Sequence, residues 1–330
     1  MKIFVTGATG YIGQQLVKVL VEQQNTIHIL VRDIHSPHIP QHANIKIFKG
    51  DITEPLTIEP AIAGCERVFH AAGFAKLKAK DPSIFFKVNV EGTRNVLEAA
   101  LKHRVKRLVF TSSGSVFGPS LKTPLCENDP RIISFESDYD LTKHLAENLV
   151  KEYTHKGLYG VIVNPSRVYG PGLNSYSNAI NRFIAWVLFK KFVIVPAIGK
   201  VRSNYSFIDD VIKGHLLAME KGLAGERYII GGENLSFNEL VQTVFSESGK
   251  KNNLVKIPIG IMRIAGGLKN IASKLIGQEP DFTPRMISRL IKDRTLSSNK
   301  AIRQLGYRVT PFKEGIQQTI QYLKQHSNAY

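Results

Sequence analysis

Residues 2–13 read KIFVTGATGYIG, and this stretch decides the fold. The alternating apolar residues of 2–6 predict a β-strand, and the apolar spacing of 16–20 predicts a helix directly after it. The glycines between them let the backbone approach a diphosphate at a helix N-terminus, where free N–H groups attract anions. The turn therefore predicts a dinucleotide site. We expect Gly7, Thr9, Gly10, Tyr11, Ile12 and Gly13 to form it.

Short predicted strands alternate with longer predicted helices through the first 165 residues. The predicted strands are Ile3–Thr6, Thr26–Val31, Ile45–Phe48, Arg67–Ala71, Arg107–Thr111 and Gly160–Val163. Strands that alternate with helices are typical of βαβ units and a parallel sheet, which indicates an α/β fold. After Pro165 the rhythm breaks into a loop and a mixed region, which includes one more strand-like run at Arg227–Ile230.

Composition excludes several classes of protein. The 330 residues are 43% hydrophobic and 22% charged, as in ordinary soluble chains. Cys65 and Cys126 can form at most one disulfide, which suits a reducing compartment, and we expect both thiols to be buried. A strand that begins at the second residue leaves no room for a leader peptide, so we expect the cytoplasm. The apolar stretch 183–198 contains Lys190 and Lys191 and does not fit a transmembrane helix.

The net charge of +17 is concentrated in the second half of the chain, which carries +13 of it. Basic and aromatic residues do not interleave as they do in single-strand-binding proteins, so we expect no nucleic-acid partner. His35, His38 and His42 lie in a loop that contains prolines, and we expect no metal there.

Two strand ends predict contacts with the adenosine half of a dinucleotide. The second strand ends in Arg32, whose guanidinium can pair with a 2′-phosphate, so we expect NADP. The alternative leaves Arg32 on the surface and Asp33 on the ribose, which would favour NAD. Asp51 and Ile52 follow the third strand, where a carboxylate could accept the adenine amino group or cap the next helix.

A second set of residues predicts the reacting end of the cofactor. Ala71, Ala72 and Gly73 close the fourth strand with small side chains, as expected beside a nicotinamide ribose. Tyr139 and Lys143 lie one helical turn apart, on one face of the helix that follows the fifth strand.

Hydroxyl groups at the end of the fifth strand, among them Ser113, lie at the sheet edge where open α/β sheets bind ligands. A tyrosine titrates near ~10, and a neighbouring ammonium lowers that pKa. We therefore expect Tyr139 to exchange a proton, Lys143 to tune its pKa and Ser113 to hydrogen-bond the substrate oxygen.

The motifs TGATGYIG, HAAG, TSSGSVFG, YDLTK and NPSRVYGPG occur in this order and resemble those of the extended short-chain dehydrogenase/reductase family. The resemblance covers most of the chain. It implies a Rossmann doubly wound sheet in 1–165, to which later segments return, and a smaller mixed C-terminal substrate lobe in 166–330. It also implies Ser113, Tyr139 and Lys143 as catalytic residues. It further implies that Lys143 bonds the nicotinamide ribose, that the stretch from Pro165 to Val168 contacts the nicotinamide side, and that Asn89 helps to shape the site.

Within the family the chain is most similar to the dihydroflavonol 4-reductase-like group. This resemblance implies an NADP-dependent oxidoreductase that interconverts a carbonyl and an alcohol on a small apolar or phenolic substrate. Two alternatives stay open: a sugar or nucleotide-sugar epimerase that uses the same residues, and a non-catalytic dinucleotide sensor. Sugar 4,6-dehydratases carry an acidic pair after the fifth strand, which is missing here, so dehydration is not expected.

Residues 257–277 combine apolar side chains with Arg263, Lys269 and Lys274. This segment could cap the second lobe as ordinary amphipathic helices, line an apolar pocket, or rest on an anionic membrane surface. A peripheral membrane contact therefore stays open. The resemblance leaves a homodimer open as well, through two long helices of the first lobe.

Overall fold

The structure is a computed structural model that describes residues 1–76, 79–173, 178–250, 253–275 and 288–326. A seven-stranded parallel sheet forms its centre, in the order β3-β2-β1-β4-β5-β6-β10. Its strands are β1 (Lys2–Thr6), β2 (Thr26–Val31), β3 (Ile45–Lys49), β4 (Arg67–His70), β5 (Arg107–Thr111), β6 (Gly160–Pro165) and β10 (Arg227–Ile230). Each lies within two residues of its predicted bounds, and the order confirms the doubly wound α/β fold.

Helices cover both faces of this sheet because alternate strand residues point to opposite sides. One face packs against α1 (Tyr11–Glu22) and α7 (Ile208–Lys221), and the other against α2 (Pro55–Ile62), α4 (Gly92–Lys102) and α5 (Asp138–His155). On β5, Val109 is buried on the α1 side, whereas Leu108 and Phe110 are buried on the α5 side. A short helix α3 (Ser83–Phe86) and a π-helical turn (Lys87–Glu91) precede α4.

The remaining elements form a smaller mixed unit, as expected. Its three-stranded sheet has the order β11-β9-β7, and its two-stranded sheet pairs β8 with β12 in parallel. The strands are β7 (Arg167–Tyr169), β8 (Phe192–Pro196), β9 (Arg202–Phe207), β11 (Glu233–Ser236) and β12 (Asn253–Ile257). Its helices are α6 (Ala179–Phe189), α8 (Phe237–Ser248), α9 (Ile259–Leu275) and α11 (Phe312–Gln325), whereas α10 (Asn299–Leu305) packs against α7 and β10 of the central sheet.

Three further observations bear on the sequence expectations. Among the described helices, none has the length and apolar character that crossing a bilayer requires. Cys65 is buried, but Cys126 is exposed because it lies in the polar loop before α5, so the expectation of two buried thiols was wrong. The apolar and basic segment forms α9 over most of its length, and its last two residues, Ile276 and Gly277, lie outside the described residues.

Candidate active site

The glycine-rich turn between β1 and α1 has no room for side chains. Gly7 has a φ of +75°, and a Cβ added there would lie 2.6 Å from the backbone nitrogen of Ala72. A Cβ added at Gly13 would lie 2.1 Å from the carbonyl oxygen of Gly7. Helix α1 begins after Gly10, which supplies no side-chain cap for the first N–H groups. This cradle of bare backbone at a helix N-terminus fits the diphosphate of a dinucleotide.

The neighbouring strand ends place the other predicted cofactor residues at the same edge of the sheet. Arg32 follows β2 and is exposed; in the described part of the chain its guanidinium makes no hydrogen bond or ion pair. Asp33 is engaged locally, because its Oδ1 accepts a hydrogen bond from the His35 amide at 2.9 Å. Asp51 follows β3, and its Oδ1 accepts one from the Thr53 amide at 2.9 Å. Ile52 is buried.

The end of β4 lies between the glycine turn and helix α5. The amide of Ala72 donates to Thr6 Oγ1 at 3.2 Å, and the amide of Ala71 donates to the Thr6 carbonyl at the same distance. A Cβ on Gly73 would lie 3.1 Å from Asn89 Oδ1 and 3.7 Å from Lys143 Nζ. The small residues therefore keep open the space beside Lys143.

His70, the last residue of β4, is fully buried and bonded on both ring nitrogens. Nδ1 lies 2.6 Å from Thr6 Oγ1, and Nε2 lies 3.0 Å from Thr93 Oγ1. Burial, with the nearby charge of Lys143, lowers its pKa to about 3. The imidazole is therefore neutral and anchors β4 to β1 and α4.

Asn89 lies in the π-helical turn and is almost fully buried. Its Oδ1 accepts a hydrogen bond from the Phe74 amide at 2.7 Å, and its Nδ2 donates to Thr142 Oγ1 at 3.0 Å. A π-turn inside a helical run is frequent at functional sites because the extra residue redirects a side chain. Here it joins the segment after β4 to the helix that carries Tyr139 and Lys143.

Tyr139 and Lys143 lie in the first two turns of α5, which is capped by the Ser137 hydroxyl. The Lys143 ammonium donates to the Thr111 carbonyl at 2.5 Å and lies 4.2 Å from the centre of the Phe110 ring. Burial lowers the pKa of Lys143 to about 7, and the charge of Glu147 opposes that shift.

The phenol of Tyr139 interacts with the hydroxyl of Ser113, which follows β5. Burial raises the pKa of Tyr139, and it outweighs the effects of the neighbouring Ser113 hydroxyl and of the charge of Arg289, which both lower it. This reverses the direction expected from the Tyr-Lys spacing, because desolvation of the phenolate is the larger effect here.

Pro165 borders the same space from the end of β6, and Val168 lies nearby in sequence, on β7. The Pro165 carbonyl lies 3.2 Å from the position of a Cβ on Gly114, the residue after Ser113. Val168 is half-buried and pairs with Ser206 of β9. Ser113, Tyr139, Lys143, Gly73 and Pro165 therefore come together at the carboxyl edge of β4, β5 and β6.

Two groups of charged residues around α5 were missed by sequence reasoning. The buried Glu147 accepts hydrogen bonds from Ser112 Oγ at 2.5 Å and Asn164 Nδ2 at 2.6 Å, so it ties α5 to the ends of β5 and β6. Asp140 is paired by Arg289, and Glu136 is paired by Lys292 and Arg294. The ion-pair partners of Asp140 and Glu136 are about 150 residues away in the sequence, so no local spacing pattern could have predicted these pairs.

A backbone cradle at a helix N-terminus, with a phenol, a hydroxyl and an ammonium at the same sheet edge, can serve nucleotide-dependent redox chemistry. Comparison with known proteins shows which family the chain belongs to. The chain is 28% identical over 313 residues to sterol demethylase protein B of Methylococcus capsulatus, with 93% of each chain covered.

It is also 29% identical over 313 residues to a 4-hydroxy-2-methyl-3-oxo-4-farnesyl-3,4-dihydroquinoline-1-oxide ketoreductase of Stigmatella aurantiaca, covering 93% of this chain and 92% of that protein. The crystal structure of gox2253 superimposes with a TM-score of 0.82 at 31% identity, and 98% of each chain is covered.

The model of the NAD dependent epimerase/dehydratase family matches residues 3–231. That match includes the glycine-rich turn, the Ser113, Tyr139 and Lys143 set, and β10. The protein is an oxidoreductase with a nicotinamide dinucleotide as its cofactor. The chain belongs to the NAD dependent epimerase/dehydratase family, which confirms the family resemblance of its motifs.

Proposed function

We propose that the protein is an NADP-dependent oxidoreductase that interconverts a carbonyl and an alcohol on a small apolar or phenolic substrate. One observation carries the proposal. Ser113, Tyr139 and Lys143 share the sheet edge onto which the glycine cradle opens, and the Tyr139 phenol interacts with Ser113. The nicotinamide ring supplies or accepts the hydride when the cofactor is bound.

The chain's own residues handle the proton. Because burial raises its pKa, Tyr139 keeps its proton at neutral pH and is suited to donate it to an oxygen that becomes negative. The Ser113 hydroxyl donates a hydrogen bond to the same oxygen and orients it. These two roles favour the reducing direction, from carbonyl to alcohol.

Lys143 supplies a second proton-exchanging group. With a pKa of about 7, it gains or loses a proton near neutral pH at little energetic cost. Its hydrogen bond to the Thr111 carbonyl fixes it within reach of the space beside Gly73, where a nicotinamide ribose would lie. Lys143 would thus hold the ribose and replenish the proton of Tyr139.

Arg32 supports the choice of NADP. It lies beyond the end of β2, is exposed, and has no carboxylate partner in the described residues. The neighbouring Asp33 turns to the His35 amide. A free guanidinium at this position can pair with a 2′-phosphate in a bidentate manner, whereas NAD offers it no anion there.

The proposal is tested with purified protein and NADPH. Loss of NADPH absorbance is followed with a panel of apolar and aromatic aldehydes and ketones and with nucleotide sugars, using Tyr139→Phe as the inactive control. Reduction of an apolar or phenolic carbonyl compound supports the proposal. Interconversion of nucleotide sugars without net NADPH loss would replace it by the epimerase alternative.

We infer a second role for the surface of the C-terminal lobe, where α6, β8, β12 and α9 expose apolar side chains to solvent. Its side chains are each at least 43% exposed: Trp186, Phe189, Phe192, Ile194, Val255, Ile261 and Ile264. Ile194 and Val255 are register partners in β8 and β12. The stretches of sequence that contain these side chains, 179–208 and 249–275, have no Asp or Glu and eleven Lys or Arg. Aromatic residues among lysines suit an anionic lipid surface.

Flotation with phosphatidylglycerol and phosphatidylcholine vesicles tests this contact. We expect binding to the anionic vesicles at low salt, and weaker binding after Trp186→Ser with Phe192→Ser. Leu56→Ser is the matched control, because Leu56 is 86% exposed on α2, outside this face. Absence of binding to anionic vesicles contradicts the inference. Concentration-dependent dimers lost in the double variant would instead assign the face to a second copy.

A further inference from the structure

Three arginines from separate segments converge on the N-terminal end of α5, next to Tyr139. Both Nη atoms of Arg289 donate to the carboxylate of Asp140, one of them at 3.1 Å. Arg294 donates through Nη2 to Glu136. Arg167 extends from β7, and its charge interacts with those of Arg289 and Arg294.

Strand pairing fixes Arg167 and Arg294 on one face of the small sheet. Arg167 is the register partner of Tyr205, and Arg294 forms a parallel bridge with Ser203. Register partners point to the same face, and so do residues two apart on one strand. One edge of β9 is paired with β11. Arg167 and Arg294 therefore both lie along the opposite edge of β9, beside residues 205 and 203, which are two positions apart on that strand.

The charges in this cluster do not balance. Asp140 is fully buried and forms an ion pair with Arg289. Glu136 forms ion pairs with both Arg294 and Lys292, and the Lys292 Nζ lies 2.9 Å from Glu136 Oε1. Among the described residues, five cations (Arg131, Arg167, Arg289, Lys292 and Arg294) therefore interact with these two carboxylates or with one another. Positive charge is in excess here, beside the phenol of Tyr139.

Among the described residues of this cluster, Arg167 and Arg294 are the arginines with donors that have no partner. Within the described parts of the chain, the guanidinium of Arg167 makes no hydrogen bond or ion pair. Arg294 is only 8% exposed, yet its Nε and Nη1 have no hydrogen-bond partner among the residues that the structure describes. Unpaired buried donors are costly to keep, so an anion that satisfies them would bind with a gain in stability.

We propose that Arg167 and Arg294 bind an oxyanion of the substrate, a carboxylate or a phosphate, beside Tyr139. The planar forks of two guanidinium groups match either anion in a bidentate manner. The substrate is then a carbonyl compound or alcohol with an apolar body and one acidic group. The inference rests on the proposed function for the reaction at Tyr139, but the oxyanion site itself is testable without turnover.

Thermal melting of the NADP⁺-saturated full chain tests the site, with benzoate and inorganic phosphate as probes at constant ionic strength. Saturating the cofactor site first keeps the phosphate probe out of the glycine cradle, and a separate NADP⁺ titration reports on the cofactor proposal. We expect at least one probe to raise the Tm of the wild type by about 2 °C or more. The probe that acts identifies the carboxylate or the phosphate as the group recognised.

Arg167→Gln is the decisive variant, because in the described part of the chain this guanidinium makes no hydrogen bond or ion pair that the substitution would break. It should weaken the apparent affinity for the active probe about tenfold or more. Arg303→Gln, an exposed arginine of α10, is the matched control for the change in charge and should behave as wild type. No Tm rise with either probe, or an equal rise in Arg167→Gln, overturns the proposal.

Discussion

The Nζ atom of Lys143 lies 2.5 Å from the carbonyl oxygen of Thr111, and the hydrogen bond it donates joins α5 to the end of β5. This contact holds an ammonium where burial lowers its pKa to about 7. The Lys143 amine is therefore about half-protonated at neutral pH. It lies one helical turn from the Tyr139 phenol, which stays protonated. In the reaction that we propose, the two groups have complementary tasks in proton transfer.

The pKa of Lys143 predicts a pH-dependent stability. Between pH 7 and about 10 the unfolded chain binds the Lys143 proton and the folded chain does not, so stability rises with pH in this window. The contribution is of order 1 kcal/mol per pH unit. Lys143→Met removes this pH-dependent contribution to stability. The Tm of the variant relative to wild type should therefore be highest at pH 7 and fall by pH 9, and a constant difference would contradict the shifted pKa.

Tyr139→Phe removes the proton donor without changing the cofactor cradle. We expect turnover to fall by about 10²- to 10⁴-fold while NADP⁺ affinity, measured by fluorescence titration, stays within about twofold. Tyr153→Phe is the matched control, since Tyr153 lies on the same helix and donates to Glu98 at 2.9 Å, away from the site. Unchanged turnover in Tyr139→Phe would remove the phenol from the reaction.

Arg32→Ala tests the choice of cofactor. Loss of the guanidinium should weaken NADP⁺ binding about tenfold or more and leave NAD⁺ binding unchanged, because only NADP⁺ carries the 2′-phosphate. Isothermal titration with both dinucleotides measures the two affinities. Equal affinities of the wild-type chain for NADP⁺ and NAD⁺ would already contradict the choice of NADP as the cofactor.

Arg289→Met leaves the carboxylate of Asp140 buried without its bidentate partner. We expect the free energy of unfolding to fall by about 3 kcal/mol in urea denaturation. Glu152→Gln breaks the exposed pair with Lys156 on the same helix and should change stability little. The double variant Arg289→Met with Asp140→Asn should recover part of the loss, and no recovery would show that the two residues act independently.

Sequence alone determined the strand positions, the parallel sheet and the glycine-rich turn, because each depends on local backbone preference and apolar periodicity. It also placed Tyr139 and Lys143 on one face, since a spacing of four residues fixes neighbours on any helix. The prediction failed on the direction of the Tyr139 pKa. Spacing shows that a cation is near, but it does not show how completely the surrounding protein removes water from the phenol.

Only the tertiary structure decided which distant charges meet at α5. Arg289 and Arg294 reach Asp140 and Glu136 across about 150 residues, and Arg167 and Arg294 share a face only because β9 pairs with both segments. Local patterns fix what each segment becomes. The balance of buried charge depends on which segments pack together, and that is set by the burial of apolar surface over the whole chain.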